Sequence, residues 1–212
     1  MKKILMPHEV LEYGGNEDFY PALYWRYFPI VRKSRNFNLN GKCGRLCSMR
    51  FASYRSKAHA SEEKVFLYDN LLSILDAAQF INESKYVSLN IVRSEKINSL
   101  FALAMFENEV GVEVELNEAL PETMPDMAFL KANFDAGCVT NMPILGYLNQ
   151  EGLLKADENG MQMICKDSIS GDSASGPYEW MKQRFMLDAE RGEAFSGTLN
   201  IKEIASLIAG SI

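Results

Sequence analysis

The spacing of apolar positions changes along this chain, and each change marks an expected element. Gly44 to Phe51 alternates, with Cys47, Met49 and Phe51 on one face and Leu46, Ser48 and Arg50 on the other, which predicts a strand. Residues 52–64 turn polar and read as a connection. Leu67, Leu71, Ile74, Leu75, Ala78 and Ile81 then recur at helical spacing as one apolar stripe. Tyr86 to Val92 alternates again, Val87, Leu89 and Ile91 against Ser88 and Asn90, and predicts a second strand. Ser94 can cap a second helix with Ile97, Leu100, Phe101, Ala104 and Met105 on its buried face. From Val110 to Asn117, Val110, Val112, Val114 and Leu116 oppose Glu113, Glu115 and Asn117, a further strand.

The flanks follow the same rules. The aromatic run Tyr20 to Val31 has strand composition at its end, where Pro29 suits a terminus or an edge. Met127, Leu130 and Phe134 allow a short helix ended by Gly137. Asn159-Gly160 reads as a hairpin turn between two short apolar segments, and 168–177 as a flexible loop of small polar residues. Residues 178–212 form a C-terminal helical segment: one helix from Tyr178 to Glu190, and another from Asn200 to Ala209 with Asn200 and Glu203 spaced as a cap and its partner. Strand, helix, strand, helix, strand, with connections long enough for parallel crossovers, predicts an α/β fold. Polar Asn90, Glu115 and Glu118 come late in their strands, the end at which such sheets build sites.

Composition narrows the function more than the fold. The 212 residues fit one domain, 1–212, large enough to fold without staples. A net charge of −6 opposes a nucleic-acid backbone, so direct nucleic-acid binding is not expected. No run is long and apolar enough for a signal peptide or a membrane span, which leaves a cytoplasmic protein as the expectation. Cys43, Cys47, Cys138 and Cys165 then read as free thiols. His8 and His59 are the only histidines and neither has a ligand spacing, so no metal site or resident cofactor is expected.

Six collinear fragments carry a resemblance. They are Tyr27-Phe28-Pro29-Ile30-Val31, Gly44 to Phe51, Leu89-Asn90-Ile91-Val92, Val114-Glu115-Leu116-Asn117-Glu118, Ala132-Asn133-Phe134-Asp135-Ala136-Gly137 and Leu154-Lys155-Ala156-Asp157. In that order they resemble the EAL domain, the bacterial phosphodiesterase module for cyclic di-GMP. The resemblance covers about residues 24 to 157 and implies an EAL-like (β/α) barrel of the TIM type, trimmed or modified in its C-terminal part.

By that resemblance Arg50, Asn90, Glu115, Glu118 and Lys155 stand at vestigial ligand-binding positions, whereas the family's carboxylates are replaced at Leu46, Ala132 and Asn133. A two-metal hydrolase needs such carboxylates. The resemblance therefore implies a degenerate, non-catalytic regulator that binds a protein partner, such as a transcriptional regulator, with room for residual cyclic di-GMP binding. Two alternatives stand beside it. One is an active phosphodiesterase with an altered metal site, loaded with Mg or Mn through Glu113, Glu115, Glu118 or Asp135. The other is an α/β interaction protein unrelated to EAL domains, using Tyr20, Tyr24, Trp25 and Tyr27.

Overall fold

The computed structural model describes residues 3–12, 19–57, 65–94, 96–124, 126–142, 153–157, 160–165, 176–192 and 201–211. Its centre is an open mixed sheet of eight strands: β3 (Leu46–Ser56), β4 (Tyr86–Ser94), β5 (Ser99–Phe106), β6 (Gly111–Leu120), β7 (Met127–Phe134), β8 (Gly137–Thr140), β9 (Leu153–Asp157) and β10 (Gly160–Cys165). The spatial order is β10-β9-β8-β7-β3-β6-β5-β4. β3 pairs β6 in parallel and every other neighbouring pair is antiparallel. The chain leaves β3 through α3 (Val65–Asn82), runs up the far edge as β4, and returns by two hairpins to lay β6 against β3. One parallel crossover and two antiparallel meanders make the sheet. A separate parallel pair, β1 (Lys3–Leu5) and β2 (Phe19–Pro21), flanks α1 (Pro7–Glu12).

The described helices lie on one face of the sheet. α2 (Pro29–Asn40), α3 and α5 (Ile201–Ala209) pack there, while α4 (Gly176–Glu190) lies on β7 and on the 3-10 turn Tyr24–Tyr27. Met49, Phe51, Val112, Val114, Leu130 and Val139 point inward from the strands and meet Leu71, Ile74, Leu75 and Ala78 of α3 in a dry core. A second, polar line runs down α3 at Asp69, Ser73 and Asp76, an i, i+4, i+7 row on one face. Each member is buried and matched. Asp69 binds His8, Ser73 Oγ accepts the Trp25 amide at 3.4 Å, and Asp76 holds Arg26 at 2.6 Å through both carboxylate oxygens.

The helix α3, the faces of β6, the β9–β10 hairpin and the two C-terminal helices agree with the sequence pattern. The connection expected over 52–64 starts later because β3 runs on through Ser56, and 58–64 lie outside the described residues. Other segments differ. The aromatic run does not end in a strand: Pro29 occupies the first turn of α2, where its fixed φ and missing N–H fit a helix start, and Gly41 closes that helix at φ 64°. Residues 97–105 are not a helix: a turn leads at Ser99 into the hairpin strand β5. Their apolar residues satisfy both periods, and alternation wins because Leu100, Ala102, Ala104 and Phe106 find a core. Residues 127–134 likewise form β7, pairing with β3, instead of a short helix. Of the expected loop 168–177, residues 168–175 lie outside the described residues.

The expected (β/α) barrel is corrected outright. β10 and β4 are free edges, so the sheet does not close, and antiparallel strands replace the helix-linked parallel ones that a TIM barrel requires. The structure is a mixed open sheet with flanking helices.

Two substitutions test what holds this frame. Gly44 enters β3 at φ 78°, and a Cβ there would fall on Asp135 Oδ1, which accepts the Arg45 amide at 2.9 Å. Gly44→Ala is expected to lower unfolding free energy by about 1–3 kcal/mol in urea denaturation. Asp76→Ala leaves the Arg26 guanidinium, 4% exposed, without its counter-charge, and is expected to cost about 3–5 kcal/mol in the same assay.

Candidate functional site

The residues singled out by sequence do not converge on one site. Arg50 lies on the uncovered face of β3 and faces two carboxylates of β6, Glu113 at 3.6 Å and Glu115 at 3.5 Å. Asn90 stands in the same cross-strand row but on the edge strand, with Leu103 and Glu113 between it and Arg50. Three strand spacings separate them, about 14 Å. Lys155 lies on β9, with β8, β7 and β3 between it and the strand of Glu115. Glu118 is on the other side of the sheet from Glu115.

The uncovered face forms a shallow depression around Ser48, Arg50, Glu113, Lys131 and Asn133, beside exposed Leu103 and Met105. Burial, and then the Glu115 carboxylate, push the Tyr54 phenol on this face up to about 12. Arg50, Glu113 and Glu115 are partly exposed and paired with one another, so they impose little on a ligand. Among the described residues no cluster of His, Cys, Asp and Glu could hold a metal ion. Cys47 and Cys138 are free thiols.

Glu118 is set at the carboxyl end of the parallel pair. It is buried, accepts a hydrogen bond from Asn98 Nδ2 at 2.6 Å, and lies 3.7 Å from Arg55 Nη1. Burial raises its carboxyl above the ordinary range, with Arg55 and Asn98 acting against that rise.

A more demanding arrangement sits where α3 starts after β3, the end at which open α/β sheets bind ligands. Asp69, nearly buried, accepts the His8 backbone N–H at 2.9 Å and pairs with the His8 ring Nδ1 at 2.7 Å. Next to it Asn70 accepts the Trp25 indole N–H at 2.7 Å and donates to Ser53 Oγ at 2.9 Å. Burial pushes the Asp69 carboxyl up, opposed by the hydrogen bonds and charge of His8. Burial and then Asp69 raise the neighbouring Tyr68 phenol. The pair joins residues 61 positions apart, so spacing in the sequence could not reveal it. The available signal was Asp69, Asn70, Ser73 and Asp76 interrupting an otherwise apolar helix.

Solved structures share this architecture. An oxidoreductase from Sinorhizobium meliloti matches 96% of the chain at 10% identity with a TM-score of 0.62. Levoglucosan dehydrogenase in complex with NADH and levoglucosan matches 92% at 13% identity with a TM-score of 0.62. An oxidoreductase from Agrobacterium radiobacter, in complex with NAD+, L-tartaric acid and magnesium, matches 85% at 15% identity with a TM-score of 0.56. The chain shares its fold with these solved structures. The matched region covers 65%, 64% and 57% of those three chains, so this chain spans about three fifths of their length. No family model matches the chain, and no curated protein matches it in sequence.

These neighbours overturn the EAL resemblance and what it implied. The fragments that suggested it lie on an open sheet shared with oxidoreductases and dehydrogenases, so the degenerate cyclic di-GMP regulator, the altered phosphodiesterase and the unrelated interaction protein all give way. The expectation of no resident cofactor is corrected as well, because neighbours of this fold carry NAD+ or NADH. The described residues do not themselves fit a dinucleotide's phosphates. That group needs a glycine-rich turn between a strand and a helix. Residues 57–64, which lead into α3, read KAHASEEK, with two glutamates and no glycine, and Met6-Pro7 leads from β1 into α1. No described helix is long and apolar enough to cross a membrane.

Glu118 supplies a pH test. Its carboxyl is raised in the folded state, so the folded protein binds that proton more tightly than the unfolded chain. The resulting stabilisation is present below the unfolded value and is lost as pH rises through the folded one. Glu118→Gln keeps an acceptor for Asn98 and removes the titration. Urea denaturation is expected to show the variant gaining on the parent protein as pH rises from about 4 to about 7. A constant difference across that range would rule the buried titration out.

Proposed function

We propose that this chain is the sheet domain of a nicotinamide-dependent oxidoreductase that acts on a small polyhydroxylated compound. One observation carries the reading: nine-tenths or more of the chain superposes on oxidoreductases at TM-scores of 0.62, one of them a dehydrogenase bound to NADH and a sugar derivative. The ligand class is drawn from the neighbours, which hold levoglucosan, L-sorbose or L-tartaric acid, all dense in hydroxyl groups. The helical side of the sheet supports it, since His8, Asp69 and Asn70 bring hydrogen-bonding side chains together there. In this reading the cofactor's phosphates are held by residues outside the described sheet and helices.

Thermal unfolding with NAD+, NADH, levoglucosan, L-sorbose and L-tartrate, each alone and in pairs, tests the proposal. A polyol together with the matching nicotinamide form is expected to raise Tm by about 5 °C or more at a hundredfold excess over Kd. No shift with any ligand or pair would overturn it.

A further inference from the structure

A structural tie between α1 and α3 would need only the bond from the His8 backbone N–H to Asp69 Oδ1, at 2.9 Å. The same carboxylate also takes the imidazole, with Nδ1 at 2.7 Å from Oδ2. An ionised carboxylate only accepts, so Nδ1 carries the proton, and in the neutral ring Nε2 keeps its lone pair. Asp69 is 9% exposed in its side chain while the His8 ring is 40% exposed. The orienting group is thus sealed and the oriented ring is open. Nε2 has no hydrogen-bond partner among the described residues, and the Glu9 carboxylate one residue on is turned to the Met6 N–H at 2.7 Å. A buried carboxylate that fixes one imidazole nitrogen and leaves the other to solvent is the arrangement of a proton-handling histidine.

We propose that His8 Nε2 is a binding and proton-accepting site for a hydroxyl of a small polyhydroxylated ligand, with Asp69 as its positioning residue. The ligand class rests on the oxidoreductase reading; the site rests on the geometry of the pair. In the bound state the ligand O–H donates to Nε2. If the proton transfers, the O–H bond breaks and an Nε2–H bond forms. The oxygen keeps the electron pair, and the imidazolium faces the Asp69 carboxylate. No other reactant is needed for that step.

Asn is the informative replacement at position 8. Its amide nitrogen reaches the place of Nδ1, so His8→Asn keeps the backbone bond and a side-chain donor to Asp69 but has no counterpart of Nε2. Diethyl pyrocarbonate, which acylates unprotonated imidazole, reads the ring directly when modification of His8 and His59 is followed separately by mass spectrometry. Levoglucosan, L-sorbose or L-tartrate at ten times its Kd is expected to slow acylation of His8 about tenfold and leave His59 unchanged. His8→Asn is expected to keep the parent's Tm while losing at least tenfold in affinity for that ligand. If a ligand binds but protects nothing at His8, or binds His8→Asn as it binds the parent, this site is wrong and the oxidoreductase reading survives. If none of the three ligands binds, with or without NADH, both fall together.

Discussion

The polar line along α3 is the constraint on which the helical layer depends. A mostly apolar helix carries Asp69, Asn70, Ser73 and Asp76 among its buried residues, and buried polar groups are tolerated only when paired. Each therefore dictates a neighbour. Asp76 fixes Arg26 by two short bonds, Asn70 and Ser73 fix Trp25, and Asp69 fixes His8. With Trp25 and Arg26 locked, the 3-10 turn has one place to sit. The Trp25 ring then meets Phe28 and Phe51 edge to face at 5.4 and 5.7 Å, and α2 begins at Pro29 in the only direction left to it. The pairs add little stability over an apolar replacement, but mispairing any of them would strand a charge or an amide in the core.

The sheet divides its two faces by the same economy. Most inward side chains of β3, β6 and β7 are apolar, with Ser53 and Glu118 buried among them and paired to Asn70 and Asn98. The opposite face carries Glu113, Arg50 and Lys131 in one cross-strand row with apolar Leu103 beside them. Arg50, at ion-pair distance from Glu113 and Glu115, is held by them more than it would hold a ligand. Groups that are oriented by burial, and so can impose a geometry, occur on the helical side. That is why the candidate site lies with α1 and α3 and not among the carboxylates most visible in the sequence.

What the sequence disclosed follows from where one period was unambiguous. The stripe of α3 and the alternation of Val110 to Leu116 allowed a single reading, and both elements are present. Ser99 to Phe106 satisfies both periods, so only the hairpin with β4 and the pairing with β6 decide it, and neither is local. Tyr27 to Val31 has strand composition, yet the buried pairing of Arg26 just before it turns the chain into a helix. The EAL resemblance failed for a related reason. Four- to eight-residue fragments report local composition, and strands of unrelated sheets share it. At 10–15% identity, only the three-dimensional arrangement connects this chain to oxidoreductases.

The two ends of the polar line differ in a way that assigns them different work. At the inner end Arg26 and Asp76 are 4% and 1% exposed. A guanidinium does not titrate in any accessible range, and burial raises the Asp76 carboxyl while the hydrogen bonds and charge of Arg26 act against that rise. At the outer end the same type of carboxylate holds an imidazole, the side chain whose ordinary pKa lies nearest neutrality, and holds it with one nitrogen outward. Swapping the two cations would give a buried histidine able to lose its charge and collapse the pairing, and an exposed arginine unable to accept a proton. The observed order keeps the permanent charge where specificity of folding needs it and the exchangeable proton where a ligand can reach it.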